Sequence, residues 1–341
     1  MQPRTRCAPL FRIDTLVSIF VPLVVLLPFG MPVLTAAKQN AQAALPKDLC
    51  YSFLRDGDVW TLCGGKQEHL PLNGRVWHYA VSSDGSSFAF ITEEPSSTRG
   101  GIAHKKLQVV SLKSEHKTEV KETSLDFLSA SCGAIVGYQA GTRETRDVTS
   151  GQLLSISSRQ FIKCDSSRRT IVGWDDLNAK SATLTVQVNE TEAEKVPAST
   201  TGGHNFGVSP SGEYIAFFSE KSGSDQLCIQ RVGSAAQCAG GIDVVGFDGI
   251  SLSDSGAALF TGHTGKGCFY KDMGHFSEKP RAGYSSEDEC VAVYYWQVDR
   301  SAPALIEGLA RYSQWISPEA AERLRDWANT LPAAHQPPIS K

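Results

Sequence analysis

Gly207-Val-Ser-Pro-Ser-Gly-Glu-Tyr-Ile-Ala-Phe-Phe-Ser219 decides the fold, because the chain repeats it. Ala80-Val-Ser-Ser-Asp-Gly-Ser-Ser-Phe-Ala-Phe-Ile-Thr92 is a second copy and Ser251-Leu-Ser-Asp-Ser-Gly-Ala-Ala-Leu-Phe-Thr261 a third. Degenerate copies stand at Phe161-Ile-Lys-Cys-Asp-Ser-Ser-Arg-Arg-Thr-Ile-Val-Gly173 and Ser129-Ala-Ser-Cys-Gly-Ala-Ile-Val-Gly137. With Ser82, Cys132, Cys164, Ser209 and Ser253 as markers, the steps are 50, 32, 45 and 44 residues. Each copy ends a strand, turns on a glycine free to take positive φ, and enters a strand that is apolar on both faces. Such a strand is buried from both sides, as it is when small sheets stack on their neighbours. A period in the forties with four short strands per unit predicts an all-β propeller.

The blades can be counted outward from these markers. Leu49 to Leu72 supplies three strands and no innermost one, and fuller units start near Trp77, Leu125, Arg159, His204 and Val244. The apolar strand Cys290-Val-Ala-Val-Tyr-Tyr-Trp-Gln-Val298 is expected to complete the first blade and close the ring, leaving no exposed edge there. The count is six, with seven blades or an open array as the alternatives. Ser317-Pro-Glu-Ala-Ala-Glu-Arg-Leu-Arg-Asp-Trp-Ala-Asn-Thr-Leu331 opens with an N-cap serine and Pro at the first helical position, and Ala320, Leu324, Trp327 and Leu331 recur at helical spacing. It is read as an amphipathic helix docked on the propeller, or else as a partner-binding one. The organisation expected is a leader over 1–43, the propeller over 44–300, and helix and tail over 301–341.

Val208-Ser-Pro-Ser-Gly-Glu-Tyr-Ile-Ala-Phe217 and Asp56-Gly-Asp-Val-Trp60 resemble the WD40-like (PD40) repeat of the TolB-type β-propellers. The resemblance spans roughly residues 48 to 298 and implies the fold; that family has no shared catalytic set to carry over. It also implies partners of the envelope kind, proteins or polysaccharide, met through loops on one face.

Arg4, Arg6 and Arg12 precede an uncharged run from Leu16 to Leu34, which ends near Ala36-Ala37 and Ala41-Gln42-Ala43. That is the pattern of a secretory signal cleaved near Ala43, or of an anchor retained through residues 16–34. Both place the rest outside the cytoplasm, periplasmic or secreted, because the arginines stay on the inner side. The eight cysteines beyond the leader fit an oxidising compartment. Folding at Asp56-Gly57, a strong two-residue hairpin signal, sets Cys50 against Cys63 on a non-hydrogen-bonded pair that a disulfide can span. Cys228 and Cys238 are symmetric about Gly233. Cys132 with Cys164 and Cys268 with Cys290 follow by elimination.

Few motifs carry chemistry. Lys plus Arg number 33 against 36 Asp plus Glu, a net charge of −3, which argues against a nucleic-acid binder relying on phosphate neutralisation. There is no nucleophile elbow, zincin, EF-hand or dinucleotide fingerprint, and Gly262-His-Thr-Gly-Lys-Gly267 lacks the spacing of a phosphate loop. No cofactor is expected. The binding candidates are positional: His78, Asn205 and Gly249 align at one level of the innermost strands, with Trp77, His204 and Asp248 one residue before. Residues there converge on a central channel, where His78, His204, Asn205 and Asp248 would form its mouth. Either they fill and solvate that mouth, or His78, His204 and Asp248 hold a metal for an enzyme acting on a carbohydrate or lactone. The reading preferred from sequence is a non-enzymatic envelope platform for protein binding or assembly, with a membrane-tethered sensor as a third option.

Overall fold

The structure, a computed structural model, describes residues 46, 49–72, 75–94, 104–113, 118–139, 142, 144–154, 160–175, 183–198, 205–221, 224–240, 249–263, 291–308 and 310–331. The chain divides into two units, Met1–Ala41 and Gln42–Lys341, and every described residue belongs to the second. The leader, His204, Asp248, Cys268 and Cys290 lie outside the described residues.

Asp56 and Gly57 both take positive φ, 59° and 81°, so β1 (Cys50–Arg55) and β2 (Asp58–Cys63) fold on a two-residue turn. The register is the one the turn dictates: Arg55 faces Asp58, Leu54 faces Val59 and Cys50 faces Cys63. β3 (Lys66–Leu70) adds to β2, so the first blade begins with its three outer strands. The second blade is β4 (Arg75–Val81), β5 (Ser87–Glu94), β6 (His104–Ser111) and β7 (Thr118–Glu122). The third is β8 (Phe127–Ser131), β9 (Ala134–Gln139) and β10 (Glu144–Asp147). The fourth is β11 (Gln160–Cys164), β12 (Thr170–Trp174), β13 (Leu184–Val188) and β14 (Glu194–Val196). The fifth is β15 (Phe206–Val208), β16 (Tyr214–Lys221), β17 (Ser224–Arg231) and β18 (Gln237–Gly240). The sixth is β19 (Ile250–Leu252), β20 (Ala257–His263), β21 (Val291–Gln297) and β22 (Ala304–Gly308). β23 (Arg311–Trp315) returns to β1 as the innermost strand of the first blade, and six antiparallel sheets complete the ring.

Closure therefore differs from the sequence expectation. The apolar strand after Cys290 is β21, the third strand of the sixth blade, paired with β20 and β22. Its hydrophobicity reflects burial on both faces inside that blade rather than a return to the head of the chain. Closure falls to the more polar Arg311-Tyr-Ser-Gln-Trp315, and the sheets run past residue 300 to Trp315. β23 is sewn in from both sides. The Gln314 side-chain amide accepts from the Val81 N–H at 2.9 Å and donates to the Val81 carbonyl, joining the second blade. Toward the sixth blade, the Tyr312 N–H donates to Thr261 Oγ1 at 3.2 Å and the Trp315 N–H to Ser251 Oγ at 3.0 Å.

The doubly apolar second strands act as the repeat predicts, by alternation along the pleat. Phe88 and Phe90 on β5 pack toward the first blade with Leu54, Val59 and Leu72, whereas Ala89 and Ile91 pack toward the third with Leu128 and Ile135. On β16, Phe217 joins the fourth blade's Val172 and Trp174, while Ala216 and Phe218 join the sixth blade's Ile250 and Phe260. Every blade is thus glued to the next by side chains of alternating residues.

The serine of the repeat has a definite task. Ser82 Oγ accepts from the N–H groups of Ser86 and Ser87 at 3.0 and 2.9 Å, closing the turn around Gly85. Ser209 Oγ accepts from Tyr214 N–H at 3.1 Å, and Ser253 Oγ from Ala257 N–H at 3.1 Å. In the fourth blade Asp165 does the same, its Oδ1 accepting from Thr170 N–H at 2.7 Å. The equivalent position there is Asp165, one residue after the Cys164 marker.

Helix α1 (Pro318–Thr330) is capped by Ser317, whose Oγ accepts from Ala320 N–H at 3.1 Å. Its buried face, Ala320, Leu324 and Trp327, lies in the core shared by the first two blades, with Trp327 edge-on to Phe88 at 5.4 Å. Gly85 has φ +62°, and a Cβ there would sit 2.7 Å from that of Ala320, so the helix rests directly on the Ser82 turn. The docked alternative is the one the structure adopts.

Candidate functional site: the central channel

The innermost strands β4, β8, β11, β15, β19 and β23 surround a channel holding a cavity of about 340 Å³. Two levels matter, one near the start of these strands and one at their ends.

At the first level, polar side chains tie each blade to its neighbour. His78 sits where β4 slips register against β5, and it is buried. Its Nδ1 accepts from the Leu128 N–H of β8 at 3.2 Å. The same nitrogen lies 3.3 Å from the Tyr79 carbonyl, and Nε2 has no hydrogen-bond partner among the described residues. Burial pushes the His78 pKa down to about 3, and the positive charges of Arg311 and Lys163 push the same way. The ring packs 4.1 Å from that of Tyr312, which takes φ 53° on β23. Lys163, at 8% exposure, reaches from β11 to β15, donating to the Phe206 carbonyl at 2.7 Å. Burial lowers its pKa to about 8. Asn205 Oδ1 accepts from the Gly249 N–H at 2.8 Å, joining the fifth blade to the sixth.

At the second level the joints are turns. Cys132 and Cys164 form a disulfide between the third and fourth blades, beside a Cys132 N–H to Cys164 carbonyl bond of 2.9 Å. Ser131 Oγ also accepts from Cys164 N–H at 2.9 Å. Ser166 N–H donates to the Pro210 carbonyl at 3.0 Å, and Ser211 N–H to Asp254 Oδ1 at 2.7 Å. Two more disulfides, Cys50–Cys63 and Cys228–Cys238, staple hairpins within the first and fifth blades.

Of the channel-mouth residues named from sequence, His78 and Asn205 are both on channel strands or their edges and both bridge blades, while His204 and Asp248 lie outside the described residues. Among the described residues, no three His, Cys, Asp or Glu side chains gather at distances suited to one metal ion. Among them, too, no helix is long and apolar enough to cross a membrane; residues 16–34 are not included in that statement. The residue that sequence reasoning missed is Lys163. Its signal was visible: it is the one lysine in the innermost strands.

No protein-family model matches the chain, and no curated protein matches it. Solved β-propellers are similar to it in structure. TolB from Acinetobacter baumannii is 11% identical, with a TM-score of 0.49 over 82% of this chain and 69% of that one. A putative TolB from Agrobacterium tumefaciens is 15% identical, with a TM-score of 0.45 over 77% and 90%. A chain of a nidogen/laminin complex is 8% identical, with a TM-score of 0.47 over 78% and 97%, and an acylaminoacyl peptidase from Pyrococcus horikoshii is 10% identical, with a TM-score of 0.35 over 68% and 39%. The chain is a six-bladed β-propeller with a short C-terminal helix.

Proposed function

We propose that the protein is a non-enzymatic, extracytoplasmic β-propeller that serves as a platform for protein binding or assembly in the cell envelope. One observation carries this reading: the polar residues of the channel's first level each join one blade to the next. His78 and Asn205 each accept a hydrogen bond from a backbone N–H of the next blade, and Lys163 donates one to a backbone carbonyl of the next blade. A histidine held neutral down to about pH 3, with Nδ1 occupied, is a strut rather than a general base for neutral solution. Three disulfides support an oxidising compartment, and the leader pattern supports export.

The test is cross-linked capture from envelope extracts with the chain immobilised through an affinity tag added at its C-terminus. A polypeptide retained by the wild type, and lost when the ring is opened by deleting residues 301–341, is the expected result. Retention of sugar alone, or turnover of a carbohydrate or lactone by purified protein, would overturn it.

A further inference from the structure

Lys163 is a buried ammonium with no carboxylate partner among the described residues. It has three N–H donors, of which the structure uses one, toward the Phe206 carbonyl at 2.7 Å. Among the described residues no carboxylate forms an ion pair with it, although buried charges are ordinarily paired. The ammonium faces the ring of Phe206, 5.4 Å from the centroid, and Lys163 lines the channel cavity. His78 lines the same cavity, its ring 4.1 Å from that of Tyr312. Among the described residues the only carboxylate on the cavity wall is Asp254, at the opposite level, where it accepts from Ser211 N–H at 2.7 Å. The site is therefore positive at one end, where two donors of the ammonium are unused.

The walls between are aromatic. Phe127, Phe161, Phe206 and Tyr312 come from four successive or closing blades and line the cavity. About 340 Å³ is at the small end of ligand pockets. One ammonium with two unused donors matches the two oxygens of a monoanion; a phosphate dianion, with more acceptors and twice the charge, asks for more donors than these.

We propose that the channel binds a small organic monocarboxylate with a planar, apolar body, its carboxylate on Lys163 and its body against the aromatic wall. This goes beyond the platform reading and does not depend on it, since an envelope platform could work with the channel empty.

Titration calorimetry on the full chain tests it with benzoate, benzamide and inorganic phosphate as probes. Benzoate is expected to bind one per chain, at least tenfold tighter than benzamide, which has the same ring and no charge, and at least tenfold tighter than phosphate. Lys163→Met, which keeps the length of the side chain and removes the ammonium, is expected to bring benzoate down to the level of benzamide. Equal affinity for benzoate and benzamide, phosphate binding as tightly as benzoate, or benzoate binding undiminished in Lys163→Met would each overturn the proposal. The comparison of three probes on the wild type decides the matter even if the variant does not fold.

Discussion

Replacing Trp327 with alanine should loosen the junction between the two ends of the chain. The indole is 2% exposed and packs against Phe88 and Phe90 at 5.4 and 6.2 Å, beside Leu324 at 0%. A buried tryptophan removes roughly 200 Å² from water, which at about 25 cal/mol/Å² is close to 5 kcal/mol. Large-to-small substitutions of this kind cost ~3–5 kcal/mol once cavity and relaxation are included. Helix α1 has 13 residues, and a helix below about 15 is marginal on its own. Undocking should therefore melt it as well. With a urea dependence of about 3 kcal/mol/M, the unfolding midpoint should fall by roughly 1–1.7 M. Trypsin should also cut sooner at Arg323 and Arg325. Trp327→Phe keeps an aromatic ring against Phe88 and should lose less than half as much. A Trp327→Ala variant with an unchanged midpoint and unchanged cleavage would refute the docking of α1 on the first two blades.

Other outcomes are expected from the same structure. His78 stays neutral when folded down to about pH 3 but protonates in the unfolded chain near its ordinary value of 6.5, so the unfolded state binds more protons in between. Its contribution to stability should fall as pH drops through that window, by about 1.4 kcal/mol per unit at most, and His78→Asn should flatten the slope seen by denaturant titration between pH 4 and 6. Lys163 has the same sign at the other end: with a folded pKa of about 8 against 10.5, it should make the wild type more stable as pH rises from 8 toward 10. Lys163→Met should lack that rise in thermal melts. Replacing Cys132 and Cys164 together with serine should cost about 3–4 kcal/mol through loss of a cross-link between blades, read by urea unfolding. Peptide mapping without reductant should recover Cys50 joined to Cys63 and Cys228 joined to Cys238; free thiols at these positions would show the hairpin registers to be wrong.

What could be read from sequence was what depends on neighbours along the chain. Asp56-Gly57 sets its own turn, so the pairing of Cys50 with Cys63 could be counted residue by residue. Ser82, Ser209 and Ser253 each bond a backbone N–H four or five residues on, so the same local geometry wrote the same local motif. Asp165 does that work with a carboxylate, which made the copy at Phe161–Gly173 degenerate and moved its marker by one residue. Closure was misplaced for a different reason. Hydrophobicity reports burial, and β21 is buried on both faces, whereas β23 gains its place through Gln314, Tyr312 and Trp315 bonds to residues more than fifty positions away. No pattern within Arg311–Trp315 encodes those partners. Lys163 is the same case at the channel: its burial comes from Phe206, supplied by the next blade.

Native-state amide exchange across Arg311–Trp315 and Cys50–Arg55 tests ring closure most directly. If β23 is the innermost strand of the first blade, both segments should exchange only through global opening, at the rate of the core strands β5 and β16. Exchange of Arg311–Trp315 as fast as that of a free chain end, with Cys50–Arg55 still protected, would contradict it.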